Sequence, residues 1–280
     1  MTEKHFLRDY QYEAVKKMKN GCILNGGVGS GKSRTGIYYY FTQQGGKIDV
    51  GVYEKMKNPR DLYIITTAMK RDSLEFEGEL AAFSLSTDPK VHSHSNKIVI
   101  DSWNNIQKYK NVYGAFFIFD EDRVTGYGKW VKVFLSIANK NKWIILSATP
   151  GDDWMQYLPV FIANRFYKNK TDFTTQHVVY SPYSKFPKIE RYTGVDKLLR
   201  LRDSILIDMK FDRITVPHHE DIFVSYDRNK YKEVLRNRWN PYKDEPIEQA
   251  SQLCYILRRI VNEDQSRIAA LLEILEKTPR

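Results

Sequence analysis

Asn25-Gly26-Gly27-Val28-Gly29-Ser30-Gly31-Lys32-Ser33 fits the pattern G-x-x-x-x-G-K-[ST], with Gly26, Gly31, Lys32 and Ser33 at the fixed positions. The pattern is informative when an apolar strand precedes it and a helix follows. Here Cys22-Ile23-Leu24 is the apolar run, and residues 34–41 can open a helix. Glycines let consecutive backbone amides curl around a phosphate, and the helix N-terminus adds a favourable dipole. Lys32 would reach the β- and γ-phosphates of a nucleotide, and Ser33 would hold Mg2+. Gly26, Gly27, Val28, Gly29, Ser30 and Gly31, with Lys32, Ser33 and Arg34, are the expected nucleotide-binding residues.

Working outward, residues 22–24, 62–66, 97–100, 115–119 and 143–147 are short apolar runs that read as strands. Continuous rather than alternating apolar character marks parallel strands covered on both faces. Helical spacing falls between them, at 11–19, 33–41, 73–83 and 130–138. The alternation predicts an α/β domain with helices on both sides of a parallel sheet. Ligands of such sheets sit at the carboxyl ends of the strands. Beyond Pro150 the pattern turns more helical, at 154–166, 196–209, 231–238, 248–261 and 264–277. A strand is expected at 220–226, a break at Trp239-Asn240-Pro241, and a loop over residues 181–187, which hold two prolines.

Two further strand ends carry chemistry. Ala115-Phe116-Phe117-Ile118-Phe119 runs into Asp120-Glu121. In a P-loop nucleotide hydrolase this strand is expected beside the strand that leads into the glycine loop. Asp120 would bind Mg2+ with Ser33, and Glu121 would polarise the attacking water. Lys32, Asp120 and Glu121 are thus the catalytic candidates. Trp143-Ile144-Ile145-Leu146 ends in Ser147-Ala148-Thr149-Pro150, whose two hydroxyls could bond the acidic turn and couple nucleotide state to another surface.

The chain of 280 residues is 42% hydrophobic, enough for a sizeable core, and has no run of 18 apolar residues. The polar Met1-Thr2-Glu3-Lys4-His5 lacks the apolar segment of a signal peptide, and two cysteines suit a reducing cytoplasm. A net charge of +10 favours a polyanionic partner, most simply nucleic acid.

The P-loop, the Asp-Glu strand and Ser-Ala-Thr-Pro, in this order and spacing, resemble the first motor domain of a superfamily 2 helicase or DNA translocase. Leu7-Arg8-Asp9-Tyr10-Gln11 is similar to that group's glutamine motif, in which Gln11 would read the adenine edge with Tyr10 packed nearby. Tyr63 to Arg71 and Ile98 to Trp103 resemble the motifs that touch a nucleic-acid backbone. Residues 199–209, Val216-Pro217, Val224-Ser225-Tyr226, Tyr231, Leu257-Arg258-Arg259 and residues 267–275 resemble the stretch that bridges the two lobes of Snf-type translocases, with a phage-like cast. The match is tight over 7–150 and looser after 170.

The resemblance implies a RecA-like ATP-binding lobe over 1–170, a mainly helical bridging segment over 171–262, and the first helix of a second lobe over 263–280. It implies ATP and Mg2+ as cofactors, double-stranded DNA bound without sequence preference as partner, and the bacterial cytoplasm as location. A second lobe, with its arginine fingers, is not evident in the sequence, so the chain alone is expected to turn over slowly or not at all. Asp122-Arg123 departs from the family pattern after the acid pair. Lys70, Arg71 and Ser102 are the expected nucleic-acid contacts, with Lys108 and Lys110 around Tyr109 a further basic stretch. Trp103 reads as packing, Tyr38-Tyr39-Tyr40 as core and surface of one helix, and His92-x-His94 and His218-His219 as loop residues. Two other function classes fit parts of the pattern: a terminase-like phage packaging ATPase, which should carry a nuclease carboxylate cluster after residue 170, and a nucleotide-binding interaction module that does not hydrolyse.

Overall fold

The computed structural model describes residues 6–121, 124, 128–184, 186–211 and 221–277. Asp122, Arg123, Val216, Pro217, His218 and His219 lie outside the described residues, as do Lys185 and residues 1–5.

From the N-terminus, α1 (Asp9–Lys17), β1 (Ile23–Asn25) and α2 (Lys32–Gln43) bracket the glycine loop. An antiparallel hairpin of β2 (Lys47–Asp49) and β3 (Val52–Glu54) follows, then β4 (Leu62–Thr66), α3 (Ala68–Asp72), α4 (Glu75–Ala81) and β5 (Ile98–Ser102). A 3-10 stretch, Trp103–Tyr109, leads to β6 (Phe116–Asp120), α5 (Lys129–Ala138) and β7 (Lys142–Ser147). Next come α6 (Trp154–Ala163), α7 (Lys170–His177), the antiparallel pair β8 (Val178–Tyr180) and β9 (Ile189–Tyr192), α8 (Val195–Ile205) and β10 (Leu206–Asp208). These elements form the first of two compact units, Met1–Asp212.

Six strands form one parallel sheet in the order β10-β1-β7-β6-β4-β5. Every residue of β4 and β6 is buried, which is why both are apolar up to the polar residue that ends each, Thr66 and Asp120. Successive side chains of a strand point to opposite faces. Ile64, Ile118, Ile144 and Leu146 accordingly join Tyr40, Phe41 and Phe76 in one core layer. Ile65, Phe117, Phe119 and Ile145 join Phe134 and Phe161 in the other. Each such fully buried side chain contributes about 1.5–3 kcal/mol relative to exposure. The fold is α/β, a RecA-like P-loop arrangement with helices on both faces of a parallel sheet.

Several local expectations are corrected. The helix expected over 196–209 stops at Ile205, and Leu206–Asp208 becomes the sixth strand. It pairs with β1 through Ile23↔Leu206 and Asn25↔Asp208, and Met209 N donates to Asn25 O at 2.8 Å. Pairing satisfies the edge of a three-residue strand that would otherwise face solvent. The helix expected over 73–83 is confined to α4, because Leu74 takes a left-handed φ of 56°, and α3 is a separate turn capped by Thr67. Arg165, with φ 63°, ends the helical path after α6. Residues 221–226 form no strand. Tyr38, Tyr39 and Tyr40 are all buried, so α2 is covered around more than one face there and none of the three is a surface residue.

The second unit, Arg213–Arg280, is mainly helical. It holds α9 (Arg228–Asn237), a two-residue antiparallel pair β11 (Trp239–Asn240) and β12 (Glu245–Pro246), α10 (Ala250–Asn262) and α11 (Gln265–Lys277). Val234, Ile247, Leu253, Ile256, Leu257 and Ile260 form its core. Residues 171–262, read from the sequence as one bridging segment, thus supply elements to both units. Among the described residues no helix is long and apolar enough to cross a membrane.

Candidate nucleotide-binding site

The glycine loop leaves β1 at Asn25 and closes at Gly31, the N-cap of α2. Gly31 has φ 78°, and a Cβ there would lie 2.3 Å from Gln11 Nε2. A side chain is therefore strained by backbone conformation and would push the Gln11 amide from its place. At Gly26 a Cβ would meet Ser30 Oγ at 2.7 Å and Met209 Cε at 2.8 Å. Ser30 is fully buried and its hydroxyl oxygen has no hydrogen-bond partner among the described residues. Val28 is exposed at the loop's tip, and Ser33 sits half-buried in the first turn of α2. The Lys32 ammonium curls back to donate to Gly26 O at 2.6 Å and Gly27 O at 2.9 Å.

Helix α1 clamps this loop. Tyr10 OH donates to Ser30 O at 3.0 Å, and Gln11 Nε2 donates to Ser30 O at 3.1 Å and Gly31 O at 3.4 Å. Gln11 Oε1 accepts from Arg8 N at 2.9 Å. The Gln11 side chain thus ties α1 to the glycine loop. Arg34 turns away to α4, donating to Glu79 Oε2 at 2.9 Å, with its guanidinium 5.8 Å from the Phe6 ring centroid.

Asp120 ends β6, 2% exposed, and its Oδ2 accepts from Thr66 Oγ1 at 2.7 Å and Lys70 Nζ at 3.0 Å. Lys70 Nζ also lies 3.3 Å from Glu121 Oε1. Glu121 has a left-handed φ of 57°, a conformation a non-glycine residue keeps only where surrounding structure enforces it. Trp103 Nε1 donates to Asp120 O at 2.9 Å, so this packed indole also fixes the acidic turn.

The expected adjacency of the acidic strand and the loop strand is corrected: β7 lies between β6 and β1. Its run Trp143-Ile144-Ile145-Leu146 is buried and bonds a strand on each edge. Leu146 O accepts from Glu121 N at 3.0 Å, and Ser147 O accepts from Gly26 N at 3.1 Å. Main-chain bonds thus link β7 to both the acidic turn and the glycine loop. Ser147 Oγ accepts from Thr149 N at 3.1 Å, and Thr149 is exposed.

Two lysines face two carboxylates. Burial holds the Lys32 ammonium below its ordinary pKa, with nearby Lys70 adding to that depression while Asp120 and Glu121 oppose it. Burial also works against the charge on Lys70, but contact with Asp120 and Glu121 outweighs it and raises that pKa. A buried carboxylate at a strand end that already carries a cation, with the half-buried Ser33 opening the helix after the glycine loop, is a donor set that fits Mg2+. That ion takes one or two protein carboxylates and completes its shell with phosphates and water.

The residues expected to touch nucleic acid lie close together, at the paired ends of β4 and β5 and in α3, with their polar groups engaged within the chain. Lys70 points into the acid pair. Arg71 donates to Asp72 Oδ1 at 2.8 Å and Asp101 Oδ1 at 3.4 Å. Ser102 is buried at the end of β5. Asp101 is a hub, accepting from Ser102 N at 2.7 Å, Asn105 Nδ2 at 2.8 Å and Tyr109 OH at 2.7 Å, with Lys108 Nζ at 3.8 Å. Burial disfavours its charge, yet these donors hold its pKa below the ordinary value. His92 and His94 sit in a loop against Asn96 and Tyr53, and Arg259 pairs with Glu263 at 2.7 Å while Arg258 is exposed. Sequence reading missed Thr66, the inward turn of Lys70 and the hub role of Asp101. Each depends on which strand ends lie side by side, for which a single sequence carries no local signal.

No model of a known protein family matches the chain, and no curated protein matches it. Among solved structures, the Sulfolobus solfataricus SWI2/SNF2 ATPase core in complex with dsDNA is similar at a TM-score of 0.54 and 16% identity. The likeness covers 98% of this chain and 64% of that one. At this identity it speaks to architecture, and the architecture it shares with the chain is the RecA-like α/β fold.

Proposed function

We propose that the chain is the ATP-binding first lobe of a superfamily 2, Snf-like motor that hydrolyses ATP to move on DNA. One observation carries this reading. A glycine loop with its lysine and an Asp-Glu turn meet at the carboxyl edge of one parallel sheet, joined through consecutive carbonyls of β7. In this reading the loop amides and Lys32 hold the phosphates, and Gly31 lets α2 start against them. Ser33 and Asp120 would hold Mg2+, which would neutralise phosphate charge. Glu121 orients the attacking water. Tyr10 and Gln11 brace the loop, and Ser147 and Thr149 carry the change in nucleotide state outward.

The net charge of +10 supports DNA as the polyanionic partner, as does the fold shared with a core solved on dsDNA. Binding would be through the backbone and without sequence preference. Residues 171–262 would act as a bridge toward a second lobe, and 263–280 as its opening helix. Movement needs two lobes that open and close, and an arginine finger supplies about 10³–10⁵ in rate where measured in GTPases. The chain by itself is therefore expected to bind Mg-ATP and turn over slowly.

The test is ATP binding and hydrolysis with and without double-stranded DNA, beside Lys32→Ala. Binding that Lys32→Ala removes, with little turnover, is the expected result. Wild-type protein that binds no nucleotide would overturn the reading, and brisk DNA-stimulated turnover by the chain alone would overturn the need for a second lobe.

A further inference from the structure

Lys70 sits where the sequence places a nucleic-acid contact, yet its head group is committed elsewhere. Thr67 caps α3 and its Oγ1 accepts from Lys70 N at 3.3 Å, which seats Lys70 in the first turn after β4. Its ammonium then spans Asp120 Oδ2 at 3.0 Å and Glu121 Oε1 at 3.3 Å, with the side chain 28% exposed. Lys32, the other lysine of the site, bonds the loop carbonyls of Gly26 and Gly27 instead. Neighbouring Arg71 is taken by Asp72 and Asp101. Lys70 is thus the cation that balances the acid pair. Two carboxylates at a buried strand end repel one another and need such a partner.

We propose that Lys70 is a positioning residue of the nucleotide site: its ammonium stands in for Mg2+ on Asp120 while holding Glu121 beside it, and gives way when Mg-nucleotide enters. The inference rests on the reading of the loop and acid pair as a Mg-nucleotide site. Two cations on one carboxylate oxygen repel, so the ammonium and the metal compete for Asp120. The exchange keeps the acidic turn in one geometry through the empty part of the cycle, at the expense of a higher Mg2+ requirement.

The experiment is equilibrium binding of a fluorescent ADP analogue to the full chain, titrated with Mg2+, for wild type, Lys70→Met and Lys70→Arg. Thermal unfolding in EDTA runs alongside. Lys70→Met is expected to lower the Mg2+ concentration for half-maximal binding by about three- to tenfold. It should also lower the melting temperature in EDTA, a deficit that shrinks at saturating Mg2+ and analogue. Lys70→Arg, which keeps the charge, should stay close to wild type in both. Normal wild-type binding with an unchanged or raised Mg2+ requirement in Lys70→Met overturns this inference alone. Failure of the wild type to bind the analogue overturns the nucleotide reading and this inference with it. If Lys70→Met does not fold, Lys70→Gln is titrated in its place, and the same outcomes decide.

Discussion

Thr66→Val tests whether the acidic turn is held by the hydrogen bond from β4. The substitution is nearly isosteric and leaves no cavity, so its cost is the lost bond. Thr66 is fully buried, Asp120 is 2% exposed, and the Oγ1–Oδ2 distance is 2.7 Å. Hydrogen bonds to charged groups contribute about 1.5–3 kcal/mol. Asp120 keeps Lys70 after the change and is not left unpaired, so the expected loss is about 2 kcal/mol. Urea unfolding followed by tryptophan fluorescence reads this directly, because Trp103 and Trp143 are buried in the same unit. With a slope of about 2 kcal/mol/M, the midpoint should fall by about 1 M. In an Asp120→Asn background the bond is neutral, and Thr66→Val should cost only about 1 kcal/mol. A loss that is negligible, or the same in both backgrounds, would mean the strands alone set the position of Asp120.

Two further outcomes are expected. Asp101 has its pKa lowered in the fold, so its stabilisation is present above its unfolded pKa of about 3.9 and is lost as pH falls through the lower folded value. Asp101→Asn should therefore destabilise by about 1–2 kcal/mol at neutral pH, with the cost fading as the pH is taken below 4 in the same urea titration. Burial raises the Cys22 thiol to about 11, while Cys254 is exposed. A thiol reagent followed by mass spectrometry should mark Cys254 in the native protein and reach Cys22 only on unfolding. Rapid native labelling of Cys22 would contradict its burial against β7.

The five apolar runs of the first half were legible as strands because burial on both faces keeps their middles apolar and leaves polar residues such as Thr66 and Ser147 to their ends. The loop was legible because Gly31 and its neighbours answer to local backbone geometry. Where Lys70 points was not, since it depends on the end of β6 lying next to β4, a relation between residues 50 apart in sequence. The placement of β7 between β1 and β6 was hidden for the same reason. Leu206–Asp208 carries helix-compatible residues, and only the need to pair the edge of β1 makes it a strand. Spacing alone gave no sign that the Gln11 amide would also bond Ser30 O and Arg8 N.

The way β7 joins the two halves of the site bears on how its communication can be probed. Leu146 and Ser147 are consecutive, and their carbonyls face opposite neighbours, one toward Glu121 N and the other toward Gly26 N. A slide of this strand along its own axis would tug on both anchors at once, as a yoke does. No side chain takes part in either bond, so an alanine scan of 143–149 would pass over the connection. Replacing the amide of Gly26 or of Glu121 with an ester, which removes one donor and leaves every side chain in place, would cut one arm of the yoke and spare the other.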